Sequence, residues 1–98
     1  MTTDQPTSDE AHRFEVFYTG RVQGVGFRWT ARHIAQGFAV TGFVRNLDDG
    51  RVQLVAEGAA GEVERFLTAI SERMRDNIRH KTVSQEQATG QFSSFEIA

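Results

Sequence analysis

The stretch that decides the fold of this chain is residues 13–36, which read RFEVFYTGRVQGVGFRWTARHIAQ. Residues 13–20 are rich in β-forming side chains with an apolar residue at every second position, which predicts a strand. From Phe27 to Gln36 the apolar residues recur at helical spacing, which predicts an amphipathic helix. The segment between them, here called the glycine loop (residues 20–28), carries three glycines and predicts a direct strand-to-helix turn.

The rest of the chain continues the alternation of strands and helices. The predicted elements are strands over residues 38–46 and 51–57, a helix over residues 60–73, a weaker strand over residues 78–86 and a short final strand over residues 92–97. The turn Leu-Asp-Asp-Gly joins the second and third strands into a hairpin. Its acidic residues, Asp48 and Asp49, are interpreted as turn residues rather than as a catalytic pair.

The element order βαββαβ predicts an α+β fold, the ferredoxin-like split βαβ sandwich, with two helices on one face of an antiparallel sheet. In that topology the first two strands run parallel with the third between them, so their carboxyl ends share one edge of the sheet. The glycine loop ends the first strand and Asn46 ends the second. We therefore expect these two segments to form one site.

The composition is typical of a soluble globular domain, with 39% hydrophobic and 24% charged residues. The net charge of −2 disfavours binding to nucleic acid or to an anionic membrane, and no apolar run approaches the ~18 residues of a membrane span. The chain has no cysteine, which excludes a thiol nucleophile and fits a reducing compartment, so we expect it to be cytoplasmic. Residues 1–12 are predicted to be a flexible leader, followed by one domain over residues 13–98.

The glycine loop has the composition of a phosphate site. A glycine-rich turn aims several backbone N–H groups at one point, and the following helix adds the partial positive charge of its amino terminus. Arg28 lies in the first helical turn, where its guanidinium can grip two phosphate oxygens. The loop lacks the lysine of a P-loop and the third glycine of a dinucleotide fingerprint. Taken alone, it fits equally a small phosphate site and a structural turn that needs glycine only for its backbone.

Two signatures in this chain resemble those of the acylphosphatase family. The glycine loop, Gly-Arg-Val-Gln-Gly-Val-Gly-Phe-Arg, is similar to the family's first signature, G-x-V-Q-G-V-x-F-R. The sequence Gly-Phe-Val-Arg-Asn at residues 42–46 is similar to the start of the second signature, which continues at Gly50, Val52 and Gly58. The resemblance covers roughly residues 13–75 and resumes at residues 95–97. Tyr18 departs from it, since the family usually has an aliphatic residue there.

The resemblance implies hydrolysis of the carboxyl-phosphate bond of acyl phosphates to a carboxylate and inorganic phosphate. It implies that Arg28 and Asn46 are the catalytic residues, and that Asn46 positions the attacking water. The residues that it implies for phosphate binding are Gln23, Gly24, Val25, Gly26, Phe27 and Arg28. The partners so implied are a small acyl phosphate and inorganic phosphate, as product and competing ligand. We expect no metal, cofactor, nucleic acid or membrane as a partner, and we expect a monomer.

The residues fit that chemistry. A carboxylate, whose acid has a pKa of roughly 4, leaves without a proton, so no general acid is needed. Backbone N–H groups and Arg28 stabilise the phosphoryl charge, and the Asn46 amide orients a water without acting as a base. The proton goes to a substrate phosphate oxygen or to solvent, and both routes stay open. The three histidines lack metal-ligand spacing and are expected to be exposed: His12, His33 and His80.

Four further residues have non-catalytic interpretations, and two other functions are alternatives to hydrolysis. Trp29 and Phe43 are interpreted as packing residues, whereas Arg21 and Arg45 fit equally a positive field near the site and a solvated surface. A phosphate- or carbamoyl-phosphate-binding module of the same fold would bind phosphate without turnover. An RNA-binding domain would need aromatic residues on its central strands, and the third strand, residues 51–57, has none.

Overall fold

The computed structural model describes residues 10–98 and contains every element that the sequence predicts, the short final strand included. The elements are β1 (Ala11–Gly20), α1 (Phe27–Ala35), β2 (Thr41–Asn46), β3 (Val52–Ala59), α2 (Ala60–Arg73), β4 (Ile78–Gln87) and β5 (Phe95–Ile97). Over the residues described, no helix combines the length and the apolar character that a membrane span needs.

Several boundaries differ from the predictions, among them those of β1, β2, β3 and β5. β2 begins at Thr41 rather than at residue 38, because the amides of Gly37 and Phe38 still donate hydrogen bonds to carbonyl oxygens of α1 at 3.0 Å each. β1 begins at Ala11, within the segment predicted as a leader, because Ala11 pairs with Ala59 at the far end of β3. The part of that predicted leader up to residue 9 lies outside the described residues.

The sheet has five strands in the order β4-β1-β3-β2-β5. β1 and β2 both pair antiparallel with β3 between them, which confirms the predicted split βαβ arrangement. The antiparallel description holds for β1 to β4 and needs correction at β5, which pairs parallel with β2. The reason is that the chain leaves β4 at one edge, crosses the whole sheet and enters β5 in the same direction as β2.

The core lies between one face of the sheet and the two helices. β1 buries the apolar face that its alternation predicts, and both helices bury their apolar stripes against the sheet. The largest fully buried side chains of this core include Tyr18, Phe27, Leu54, Phe66 and Ile70. Burial of these side chains contributes on the order of 2 kcal/mol each, which makes the helix-covered face the main source of stability.

The opposite face of the sheet is crossed by residues 88–94, here called the crossover segment, which lead from β4 to β5. The segment docks on Glu57 of β3, which is only 4% exposed and accepts hydrogen bonds from Thr89 and Gly90. Farther along, Phe92 packs edge-on against Phe43, with ring centroids 5.8 Å apart. These contacts fix the path by which β5 reaches the edge beside β2.

Candidate phosphate-binding and catalytic site

The glycine loop takes a conformation that its glycines make possible. Gly24 and Gly26 have φ angles of 75° and 80°, in the left-handed region that other residues rarely adopt. A Cβ at either position would meet no atom within 4 Å, so glycine is needed there for backbone conformation and not for space. Gly26 directly precedes α1, and its carbonyl oxygen accepts the first helical hydrogen bond from Thr30 at 2.9 Å.

The amino terminus of α1 keeps its positive partial charge. The first turn contains no acidic residue, and no side chain caps the helix. Arg28, the second helical residue, is exposed and forms no salt bridge among residues 10–98. The helix terminus and a free guanidinium therefore lie together, which is the arrangement that attracts a phosphate-sized anion.

Asn46 is the last residue of β2, and β2 runs parallel to β1 in the sheet. As predicted, the two strand ends share an edge: Asn46 and Arg28 line one pocket of about 190 Å³. The complete lining is Val22, Gly24, Gly26, Phe27, Arg28, Trp29, Asn46 and Ile97. Of the residues predicted for phosphate binding, the pocket includes four and leaves Gln23 and Val25 outside its lining.

Gln23 holds the glycine loop in place through its side chain. Its amide nitrogen donates hydrogen bonds to the carbonyl oxygens of Leu47 and Arg51, at 2.8 and 2.9 Å. Both acceptors belong to the turn that follows Asn46, so the side chain fixes the loop relative to Asn46. Gln23 was predicted only as a phosphate ligand, and this contact was not predicted because its acceptors lie 24 and 28 positions farther along the chain.

The Asn46 carboxamide retains hydrogen-bonding capacity. Its side-chain oxygen is buried and has no partner within the described part of the chain. A buried amide oxygen without a partner costs free energy, on the order of 1–3 kcal/mol. Because Asn46 also lines the pocket, its carboxamide is placed to hold a polar group there, such as a water molecule.

The charged residues of the turn after β2 bond to one another. The Asp49 carboxylate accepts hydrogen bonds from the Arg51 backbone N–H at 3.1 Å and from its Nε at 2.9 Å. These bonds, the backbone one foremost, hold the pKa of Asp49 below its usual value. Asp49 is therefore engaged in the turn, as predicted. Within residues 10–98, no cluster of three or more His, Asp or Glu residues is arranged to hold a metal ion.

Two aromatic residues near the site differ in their environment. Tyr18, at the end of β1, is fully buried and packs against Phe27 of the pocket with ring centroids 4.8 Å apart, and burial raises the pKa of its hydroxyl. Trp29 is 58% exposed and stacks on His33, which is exposed as expected. The prediction that Trp29 is a packing residue is therefore wrong. The signal for exposure was its position in α1, because Trp29 does not share the helical spacing of the buried Phe27 and Ala31.

Comparisons with known proteins agree with this fold. A family model described as acylphosphatase matches residues 14–97. The acylphosphatase of Paenarthrobacter aurescens is 42% identical over 92 residues, which covers 92% of this chain and 97% of that protein. The crystal structure of acylphosphatase from Bacillus subtilis superposes with a TM-score of 0.79 at 28% identity, covering 89% of this chain and 98% of that one.

A larger protein contains the same fold. The crystal structure of full-length HypF in its phosphate- and nucleotide-bound form contains a region that matches 92% of the present chain with a TM-score of 0.74. This region is 12% of the HypF chain. At 22% identity this likeness concerns the fold alone. The family model and the relative from Paenarthrobacter aurescens span nearly all of the described residues, and they show that this chain belongs to the acylphosphatase family.

Proposed function

We propose that this chain hydrolyses the carboxyl-phosphate bond of acyl phosphates by direct attack of a water molecule. The observation that carries the proposal is that one pocket joins the glycine loop, Arg28 and Asn46. Membership of the acylphosphatase family supports the same activity. The partner is a small acyl phosphate, and the product is inorganic phosphate.

The phosphoryl group binds at the glycine loop. Backbone N–H groups of the glycine loop donate hydrogen bonds to its oxygens, the amino terminus of α1 adds positive potential, and Arg28 binds two oxygens at once. Little covalent chemistry is required in phosphoryl transfer, since the transition state needs charge stabilisation above all. Donors that are already in position supply this stabilisation without reorganisation.

The attacking water is held by Asn46. The Asn46 carboxamide lines the pocket, and its hydrogen bond to the water directs the water's lone pair toward phosphorus. An amide is too weak a base to take the proton, so Asn46 acts by positioning. The water's proton passes to a phosphate oxygen of the substrate or to solvent as the new P–O bond forms.

The leaving group requires no acid. As the P–O bond to the acyl group breaks, the electron pair goes to a carboxylate, whose conjugate acid has a pKa of roughly 4. The pocket lining in the described structure contains no Asp, Glu or His. That lining suits a reaction that needs stabilisation of the phosphoryl charge but no general acid or base from the protein. We further propose that the chain works as a cytoplasmic monomer without a cofactor.

The decisive experiment measures phosphate release from benzoyl phosphate by the purified full chain. We expect turnover that EDTA leaves unchanged and that inorganic phosphate inhibits competitively. Tight phosphate binding without turnover would instead identify a binding module of the same fold. Loss of activity in EDTA with recovery on adding a metal would contradict the metal-free reaction, and RNA binding at low salt in a gel-shift assay would favour a different function altogether.

A further inference from the structure

Trp29 is the one tryptophan in the chain, and it lies at the mouth of the pocket. Its side chain is 58% exposed although indole is among the most apolar side chains that proteins carry. It directly follows Arg28 in the first turn of α1. An apolar ring is thus presented to solvent beside the residue that binds the phosphate.

His33 holds the indole ring in a fixed orientation. The two rings lie one helical turn apart and stack with centroids 4.9 Å apart and an angle of 6° between their planes. This contact covers one face of the indole, and Trp29 as a whole remains 58% exposed. A ring that is already oriented loses little conformational entropy when a ligand packs on it, which favours binding.

A second apolar side chain completes the rim. Ile97 is 41% exposed and lines the same pocket. It pairs with Val44 in the parallel β2–β5 ladder, and the next residue donates its amide hydrogen to the Val44 carbonyl oxygen at 2.9 Å. Phe95 anchors β5 in the core. The sheet therefore fixes Ile97 at the pocket.

The pocket has two chemically different parts. The glycine loop, Arg28 and Asn46 form a polar part that suits a phosphate, whereas Trp29 and Ile97 form an exposed apolar part. A ligand that matches both parts has an anionic group joined to an apolar group. An acyl phosphate with an aromatic or long aliphatic acyl group has this form, and acetyl phosphate has only a methyl group to offer.

We propose that Trp29, supported by Ile97, is the contact surface for the acyl group and gives the chain a preference for aromatic and long aliphatic acyl phosphates. The inference rests on the proposed function, because it assigns the acyl end of the same substrate. It makes Trp29 a determinant of specificity and gives it no part in the bond-breaking step.

Steady-state kinetics test the preference. We expect wild-type kcat/KM to be higher for benzoyl phosphate than for acetyl phosphate, and Trp29→Ala to reduce that ratio about tenfold, the loss of one aromatic contact. Trp29→Phe should restore most of the ratio. The control is Val83→Ala, which shortens an exposed apolar side chain on edge strand β4 and should leave kcat/KM for both substrates unchanged. An unchanged ratio in Trp29→Ala, or an equal loss for both substrates, would overturn the inference.

Fluorescence gives a second test that requires no turnover, because Trp29 alone contributes tryptophan emission. The probes are benzylphosphonate and methylphosphonate, which carry the anion and differ in the apolar group. We expect benzylphosphonate to change the emission and to bind about tenfold more tightly than methylphosphonate. Equal affinities and equal emission at saturation would refute the inference.

The two proposals can fail separately. If the wild-type chain hydrolyses both acyl phosphates and Trp29→Ala leaves the ratio of their kcat/KM values unchanged, the proposed function stands and the acyl contact surface is refuted. A chain that hydrolyses neither substrate but still distinguishes the two phosphonates by Trp29 emission would lose the proposed hydrolysis. The apolar contact surface would then stand as part of a binding site.

Discussion

The glycine loop and the crossover segment both serve the same pocket, but they are held in place by different means. The loop is held by the left-handed conformation of its own glycines and by its own Gln23 side chain, which donates hydrogen bonds to the turn after β2. The crossover segment is held by a side chain of a distant strand, the buried carboxylate of Glu57. The loop supplies groups to the pocket directly, whereas the crossover segment acts only by placing β5. Changes in the loop should therefore alter activity, and changes at the crossover should alter stability.

Replacing Arg28 gives the largest expected effect on activity. Arg28→Ala removes the guanidinium from the phosphate site, and kcat/KM should fall by about 10³ to 10⁵, the range for an arginine that stabilises a transferring phosphoryl group. Inorganic phosphate should also inhibit more weakly. The free energy of unfolding should stay within about 0.5 kcal/mol of wild type, because the side chain is exposed and forms no salt bridge in the described part of the chain.

Two variants sharpen the test of Arg28. Arg28→Lys keeps the charge but loses the two-oxygen grip, so its activity should lie between those of wild type and Arg28→Ala. Arg73→Ala removes another exposed arginine, at the far end of α2, and should leave kcat/KM unchanged. Near-normal turnover in Arg28→Ala would refute phosphate binding by this residue.

Asn46 should separate turnover from phosphate binding. In Asn46→Ala the water loses its positioning contact, and kcat should fall about 10²-fold, the usual cost of misplacing a reacting group. The inhibition constant for inorganic phosphate should stay within about twofold, since the glycine loop and Arg28 remain. In Asn46→Asp, by contrast, a carboxylate would repel the phosphate, so phosphate affinity should fall as well. Full activity in Asn46→Ala would exclude the water-positioning role.

The difference between the two regions also explains what the sequence could predict. β1, the glycine loop and α1 are consecutive, and their alternation, glycines and helical spacing are local signals. The juxtaposition of Arg28 and Asn46 followed from topology, because parallel strands end at the same edge. These features were predictable because short-range preferences and the fold class agree there.

The remaining features depend on contacts between distant residues. The parallel pairing of β5 follows from the docking of the crossover segment on Glu57, 32 and 33 positions before Thr89 and Gly90. No periodicity encodes such a contact. The exposure of Trp29 was missed for a different reason: the hydrophobicity of the side chain was taken to indicate packing, although Trp29 lies off the helical stripe that contains Phe27 and Ala31.

Glu57 gives the smallest effect on activity and the clearest effect on stability. Its carboxylate accepts hydrogen bonds from the Thr89 amide and hydroxyl at 3.0 and 2.8 Å and from the Gly90 amide at 2.9 Å, with Arg13 at 3.5 Å. In Glu57→Gln an NH₂ group replaces one carboxylate oxygen, so at least one of these donors faces another donor and loses its hydrogen bond. Thermal unfolding should show a loss of about 1–3 kcal/mol, with kcat/KM nearly unchanged at temperatures where the variant is folded.

The acid dependence of unfolding tests the same contact. Burial acts to raise the pKa of Glu57, but the hydrogen bonds from Thr89, Gly90 and Arg13 outweigh it and hold that pKa below its usual value. A lowered pKa means that this stabilisation is complete above the unfolded-state pKa of about 4.3 and is lost as the pH falls through the folded-state value. In Glu57→Gln this part of the loss should be absent, whereas Glu72→Gln, at an exposed position of α2, should follow wild type. If Glu57→Gln and wild type lost stability in parallel below that pH, the ionised carboxylate would not be what holds the crossover segment to the sheet.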